Sequence, residues 1–180
     1  DEAEERAFTV VSEKNPDLSD DERRAIARAV GLGALKYADL SNNRQSDYIF
    51  DWDKMLALQG NTAPYLQYAY TRVRSIFRKM DAPNFATVEF RLKAPEELAL
   101  AKHLMNFGQT LEMVAQDYRP NFLCNYLFEL AGHFSRFYEA CPVLKAEEAE
   151  RNSRLAICEL TARVLRSGLD AMGIEVTEVM

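Results

Sequence analysis

The chain has 180 residues, 48% of them apolar, and a formal net charge of −6. That length suits one domain, or one domain with a piece of another, and leaves enough apolar side chains for a sizeable core. No stretch reaches the roughly 18 consecutive apolar residues of a membrane span, the acidic opening Asp1, Glu2, Glu4, Glu5 is unlike a secretory leader, and the acidic total weighs against a protein that coats nucleic acid over its whole surface.

In chain order, residues 1–14 are predicted as a short charged helix, broken at Asn15-Pro16 because proline disfavours the helical region in the residue before it. Ser19 or Asp20 can cap a second helix running to about Leu40, with Ile26, Ala29 or Val30, Leu32 or Gly33, and Tyr37 as its apolar stripe. The small residues Gly31 and Gly33 cost helix propensity, about 1 kcal/mol each, and admit a close backbone neighbour. Residues 41–50 read as a loop with a short extended piece, and Asp51 as the cap of a helix over 52–58 with Trp52 as a buried anchor. A well-defined helix covers 62–80: Pro64 lies in its first turn, and Leu66, Ala69, Val73, Ile76 and Met80 step by three and four. The loop 81–94 is expected to be pinned by Phe85, Val88 and Phe90. Three helices follow, over 95–116 (Leu100, Leu104, Phe107, Leu111, Val114 inward), from Pro120 to Cys141, and over 146–172, stopped by Gly173 in a left-handed cap conformation. Strand alternation is absent, so the expected fold is all-α, a helical bundle, with a soft boundary between 1–50 and 51–180.

Chemistry-bearing patterns are few. Cys124, Cys141 and Cys158 are odd in number with no C-x-x-C spacing, which argues for buried reduced thiols in a cytoplasmic protein rather than disulfides or zinc. His103 and His133 form no metal or catalytic pattern, and no glycine-rich phosphate loop is present. Neither a catalytic nor a metal site is therefore expected. The charge distribution is more informative. The first 22 residues hold nine acids and two bases, whereas 61–80 hold Arg72, Arg74, Arg78 and Lys79 and no acid. With Tyr65 set to zero and about 100° per residue, Tyr68 falls at about 300°, Lys79 at about 320° and Arg72 at about 340°. They line one strip beside the buried stripe. Rings for stacking and cations for phosphates are how proteins take hold of unpaired RNA. Tyrosines at the rim of a bundle core give the same spacing, as do most of Phe122, Tyr126, Phe128, Phe134, Phe137 and Tyr138.

The segments Val30–Leu40 (VGLGALKYADL), Asp47–Asp53 (DYIFDWD), Gly60–Arg72 (GNTAPYLQYAYTR) and the ending Leu165–Met180 resemble arginyl-tRNA synthetases of the bacterial type. The resemblance covers nearly the whole chain. It implies a class I, ATP- and magnesium-dependent enzyme that attaches arginine to tRNA, whose C-terminal DALR-type bundle receives the anticodon loop. The anticodon contacts that the resemblance implies are Asn61, Tyr65 and Arg72, with Met180 packed nearby; the strip itself adds Tyr68 as a stacking ring, and Arg72, Arg74 and Lys79 are expected on phosphates. Some family members carry an aromatic pair near 141–145; here the residues are Cys141-Pro142-Val143-Leu144-Lys145, so that contact is not carried over. The HIGH and KMSKS signatures of the class are not in these residues, nor is the domain that reads the tRNA elbow. Residues 1–50 would be the tail of the catalytic part, and this chain alone is expected to form no adenylate and to hold no cofactor of its own. The expected partner is arginine tRNA, with no DNA or membrane, and a monomeric state. The competing reading is a helical protein–protein interaction domain with no RNA role.

Overall fold

The computed structural model describes residues 2–78 and 88–180; Lys79, Met80 and Phe85 lie outside them. The helices are α1 Glu2–Lys14, α2 Asp20–Ser41, α3 Trp52–Met55, α4 Ala63–Phe77, α5 Pro95–Met105, α6 Phe107–Asp117, α7 Asn121–Ala140 and α8 Glu148–Ala171. No strand occurs among the described residues, and no helix is long and apolar enough to cross a membrane. The architecture is the all-α bundle that the helical periodicity predicts.

Local chemistry sets the helix starts. The Ser19 hydroxyl accepts the Glu22 N–H at 3.3 Å while the Glu22 carboxylate accepts the Ser19 N–H at 2.9 Å, so two otherwise orphaned donors are satisfied at α2. Asp51 accepts from the Asp53 and Lys54 N–H groups at α3. Thr62 accepts the Tyr65 N–H at 3.2 Å and anchors itself by donating to the Ala57 carbonyl at 2.6 Å, which fixes where α4 begins. At the other end of the chain, Gly173 has φ +68°, the left-handed conformation that lets Ile174 turn back onto the core.

The predicted stripes meet in one core. Leu66, Val73 and Ile76 of α4 pack with Leu127, Phe134 and Phe137 of α7, and with Leu155, Leu165 and Leu169 of α8; Leu100 of α5 closes the cluster. Gly168 brings α8 against α7, since a Cβ there would lie 2.7 Å from Leu127 Cδ2. A second, smaller cluster joins α1 to α2 through Ala7, Val11, Ile26, Ala27 and Val30. Here Gly31 admits the backbone of α1, because its Cβ would sit 2.6 Å from the Ala3 carbonyl oxygen. The close neighbour of Gly31 is thus the backbone of α1, whereas Gly33 faces the side chains of Gln67 and Ile174.

Several expectations need correction. The single helix over 95–116 is two, α5 and α6, which part at Asn106, where the Asn106 N–H bonds back to His103 at 3.1 Å in a tightened turn. Asn106 and Gly108 are both weak helix formers, and the break swings α6 so far outward that Leu111 is exposed. Trp52 is only half buried: it packs edge-on against Phe50 with centroids 4.8 Å apart, and the Arg6 guanidinium covers it at 5.4 Å; Met55 is the buried residue of α3. That helix ends at Met55 instead of reaching 58. Phe90 is exposed and does not pin its loop. Among the aromatic residues of α7, Tyr126, Phe134 and Phe137 are buried, but Phe122 and Phe128 are only half buried and Tyr138 is exposed. All three cysteines are buried and unbridged. Their thiols are pushed up in pKa chiefly by burial, Cys124 and Cys158 to about 12.

Candidate nucleic-acid interface

Helices α4 and α7 lie side by side, and their facing edges meet in three rungs. At the first, the Asn61 and Asn125 amides are 3.1 Å apart. At the second, the Tyr65 and Phe128 rings are 5.6 Å apart and tilted by 60°. At the third, the Arg72 guanidinium lies 5.1 Å from the centre of the Tyr138 ring. Residue numbers rise together along both edges, so the helices run parallel at this seam. Tyr65 and Arg72 are half buried, with Asn125 and Tyr138 exposed. The seam therefore offers ring faces, amides and a cation to solvent while its lower edge rests on the core. Arg72 has no carboxylate within ion-pair distance among the described residues. Its charge is partnered by a ring face, which leaves the outer guanidinium donors open to an anion.

The other residues singled out in the sequence fall elsewhere. Tyr68, 43% exposed, turns from the seam onto the adjacent flank of α4. There it lines an apolar cleft of about 250 Å³ with Met180, Pro64, Leu56, Val11 and Val30. Tyr68 and Met180 are thus brought together, but apart from the Asn61–Tyr65–Arg72 line. Arg74 projects on the far side of α4, where Nη1 pairs with Glu159 at 3.1 Å and Nε with Glu178 at 3.4 Å. It holds the C-terminal segment down, together with Arg78, which donates to the Glu178 carbonyl, and Tyr70, whose hydroxyl donates to the Glu178 carboxylate at 2.8 Å. A guanidinium held by two carboxylates is poorly placed to neutralise phosphate.

Asn125, Phe128 and Tyr138 also belong to the seam, although the sequence pattern groups Phe128 and Tyr138 with the core aromatic residues and does not single out Asn125. Nothing in the periodicity of α7 marks them, because a residue at the rim of a core stripe becomes a site only when a second helix brings a matching rim beside it. The two histidines are structural. His103 stacks on Tyr126 with ring centres 4.4 Å apart, and its Nε2 lies 3.0 Å from the Tyr126 carbonyl, tying α5 to α7. Burial, then the neighbouring His103 and Arg136, hold the His133 pKa below its usual value.

The model of the DALR anticodon binding domain matches residues 66–180, and that of the catalytic domain of class I (R) tRNA synthetases matches residues 1–52. The chain is 58% identical over 179 residues to an arginine–tRNA ligase of Chromobacterium violaceum, covering 99% of the chain and 31% of that protein. It is 57% identical over 180 residues to the one of Laribacter hongkongensis, covering 100% of the chain and again 31% of the relative. Among solved structures it resembles the arginyl-tRNA synthetase of Thermus thermophilus, with a TM-score of 0.92 and 35% identity over 99% of the chain and 31% of the other. It also resembles that of Plasmodium falciparum, with a TM-score of 0.85 and 29% identity over 99% of the chain and 32% of the other. The chain therefore spans about a third of the length of the relatives it matches.

Proposed function

Because this chain belongs to the DALR anticodon-binding family, we propose that its α4–α7 seam grips the anticodon arm of arginine tRNA. Bases that leave their stack in the loop lie on Tyr65 and Tyr138 and present their edges to the amides of Asn61 and Asn125, while Arg72 meets the sugar–phosphate backbone. Tyr68 and Met180 offer a second apolar surface one strip round α4. The observation that carries this reading is the ordered row of ring, amide and cation rungs, half open to solvent, along the N-terminal border of the matched domain, where Arg72, Asn125, Phe128 and Tyr138 lie within it and Asn61 and Tyr65 just ahead of it. Arginine as the amino acid rests on the relatives' names. Nothing in the relatives favours the protein-interaction reading.

In this proposal residues 1–50 close the catalytic part and 51–180 form the anticodon-binding body, and the longer protein, a cytoplasmic monomer, joins arginine to tRNA at the expense of ATP. Among the described residues no group of three or more His, Cys, Asp or Glu could hold a metal ion, and the sequence lacks a phosphate-cradling glycine loop. This chain's part is to bind and orient RNA.

Titrating the chain with arginine tRNA at about 50 and about 200 mM salt tests the proposal. Binding is expected to weaken steeply with salt, since each phosphate contact releases counterions, and to exceed that for a tRNA with another anticodon. Salt-independent binding without preference among tRNAs would speak for a protein-docking surface instead.

A further inference from the structure

The two histidines of the chain meet where α5 ends. The His103 ring stacks on Tyr126 at 4.4 Å and lies 4.9 Å from the His133 ring, tilted by 35°. The Tyr126 hydroxyl donates to the His103 carbonyl at 3.0 Å, and His103 Nε2 lies 3.0 Å from the Tyr126 carbonyl. A carbonyl only accepts, so that nitrogen carries a proton. This lock sits just ahead of Asn106, where the chain turns into α6. Helix α6 is lightly held: Thr110 is its only buried residue, and Phe107 leans on the same Tyr126 ring at 5.8 Å. His133, half buried, closes the cluster, with Nδ1 3.2 Å from Nη2 of the exposed Arg136. A guanidinium only donates, so Nδ1 offers its lone pair and the ring is neutral. A proton there removes the acceptor and sets a positive ring beside both the Arg136 cation and the face of His103. The groups that act on His133 are His103 from α5 and, from its own helix, Arg136 and Glu129, of which Glu129 alone favours the charged ring. Helices α6 and α8, which also pack on α7, add none among the described residues.

We propose that the His103–His133–Arg136 contact is a proton-sensitive catch: a proton on His133 releases the end of α5, and α6 with it, from α7. The sign follows from linkage. Burial first, then His103 and Arg136, hold the His133 pKa below its ordinary value of 6.5 in the closed form. Once the arm is released the ring is solvated and regains its ordinary affinity for the proton. The open form therefore binds the proton more readily, and protons favour opening. The catch is fully shut above about pH 6.5 and yields as pH falls below it. Mild acid is the trigger, and the moving part is the helix that already stands furthest out from the core.

Amide hydrogen exchange along the chain, followed from about pH 7.5 to about pH 5 and corrected for the intrinsic effect of pH on exchange, reads the opening directly. Protection of the α6 amides is expected to fall below pH 6.5 by up to about tenfold per pH unit, the effect of one proton, while α8 keeps its protection. His133→Gln still offers Arg136 an acceptor and takes up no proton in this range, so its α6 protection should stay constant. Arg136→Gln changes an exposed side chain and removes one opposing cation. The His133 ring signal, one of two histidine signals in the proton NMR spectrum, should titrate with a midpoint below 6.5 in the parent and closer to 6.5 in that variant. The catch is overturned if α6 protection in the parent is indifferent to pH, if its fall persists in His133→Gln, or if Arg136→Gln leaves the midpoint unmoved. Loss of protection in α8 in step with α6 also overturns it, since that marks acid unfolding of the whole bundle.

Discussion

Tyr65→Ala is expected to cut the affinity of the chain for an arginine-tRNA anticodon arm by roughly 5- to 150-fold, the range that about 1–3 kcal/mol of base stacking allows. Tyr65 is half buried and leans on Phe128 at 5.6 Å, so its removal takes away both a stacking face and the support of the ring beside it. The helix should survive, because the buried stripe of α4 passes through Leu66, Val73 and Ile76. Circular dichroism of the variant checks this. Arg72→Gln should act differently, lowering the slope of log affinity against log salt by about one unit, since the lost group is a cation that meets phosphate. Arg74→Gln supplies the contrast. It breaks the ties to Glu159 and Glu178 and should lower stability while leaving RNA affinity nearly unchanged. Equal RNA affinity for Tyr65→Ala and the parent, or a larger loss from Arg74→Gln than from Arg72→Gln, would move the binding surface away from the seam.

The largest loss of stability is expected from Glu97→Ala. Glu97 is 1% exposed, and one of its oxygens accepts from the Lys93 and Ala94 N–H groups at 2.7 and 2.8 Å, capping α5 from within the helix. The other accepts from Arg154 Nε at 2.6 Å, in a pair whose arginine side chain is itself only 11% exposed. Truncation would leave a buried guanidinium with Glu150 as its nearest acid at 3.8 Å, and would orphan two backbone donors. Removing one member of such a pair costs about 3–5 kcal/mol, a large share of the roughly 5–15 kcal/mol that holds a domain together. For a chain of this length that corresponds to a fall of roughly 6–20 °C in melting temperature. Acid should reproduce part of the loss. Burial works to raise the Glu97 pKa, but the Arg154 hydrogen bond and the two N–H groups outweigh it and hold the carboxyl below its ordinary value of 4.5. A depressed folded-state pKa contributes stability above the unfolded value and loses it as pH falls through the folded one. The parent should therefore lose stability below about pH 4.5, more steeply than Glu97→Gln, which has no proton to take up there. Parallel acid profiles for the two would show that Glu97 does not carry the effect.

These two sites differ in how far the sequence exposes them. The helices with clean three-and-four stepping, α4, α7 and α8, can be read directly, because burial of one face is a property of the helix itself. So can Tyr65 and Arg72, which share a strip with one another before any neighbour is known, whereas Asn61, ahead of the α4 cap at Thr62, is implied only by the family resemblance. Tyr68 shares that strip only approximately. Once α7 occupies one side of Tyr65, a further turn of about 60° is enough to place Tyr68 over the cleft with Met180. Asn125, Phe128 and Tyr138 are illegible because their role depends on parallel contact with α4, a fact of tertiary packing. Arg74 looks like its basic neighbours until Glu159 and Glu178, 85 and 104 residues further on, are seen to claim it. Glu97 has the local pattern of any first-turn acid, and no such pattern shows that Arg154 arrives from α8 to bury it.

The central claim, that unstacked anticodon-loop bases lie between α4 and α7, is met most directly by photo-crosslinking. An arginine-tRNA anticodon arm carrying 4-thiouridine at successive loop positions is irradiated with the chain, and the adducts are mapped by mass spectrometry. Adducts on Tyr65, Phe128 or Tyr138 from one or two adjacent loop positions are the predicted result. Adducts confined to α6, or to the side of α4 that carries Arg74, with none along the seam, would contradict it.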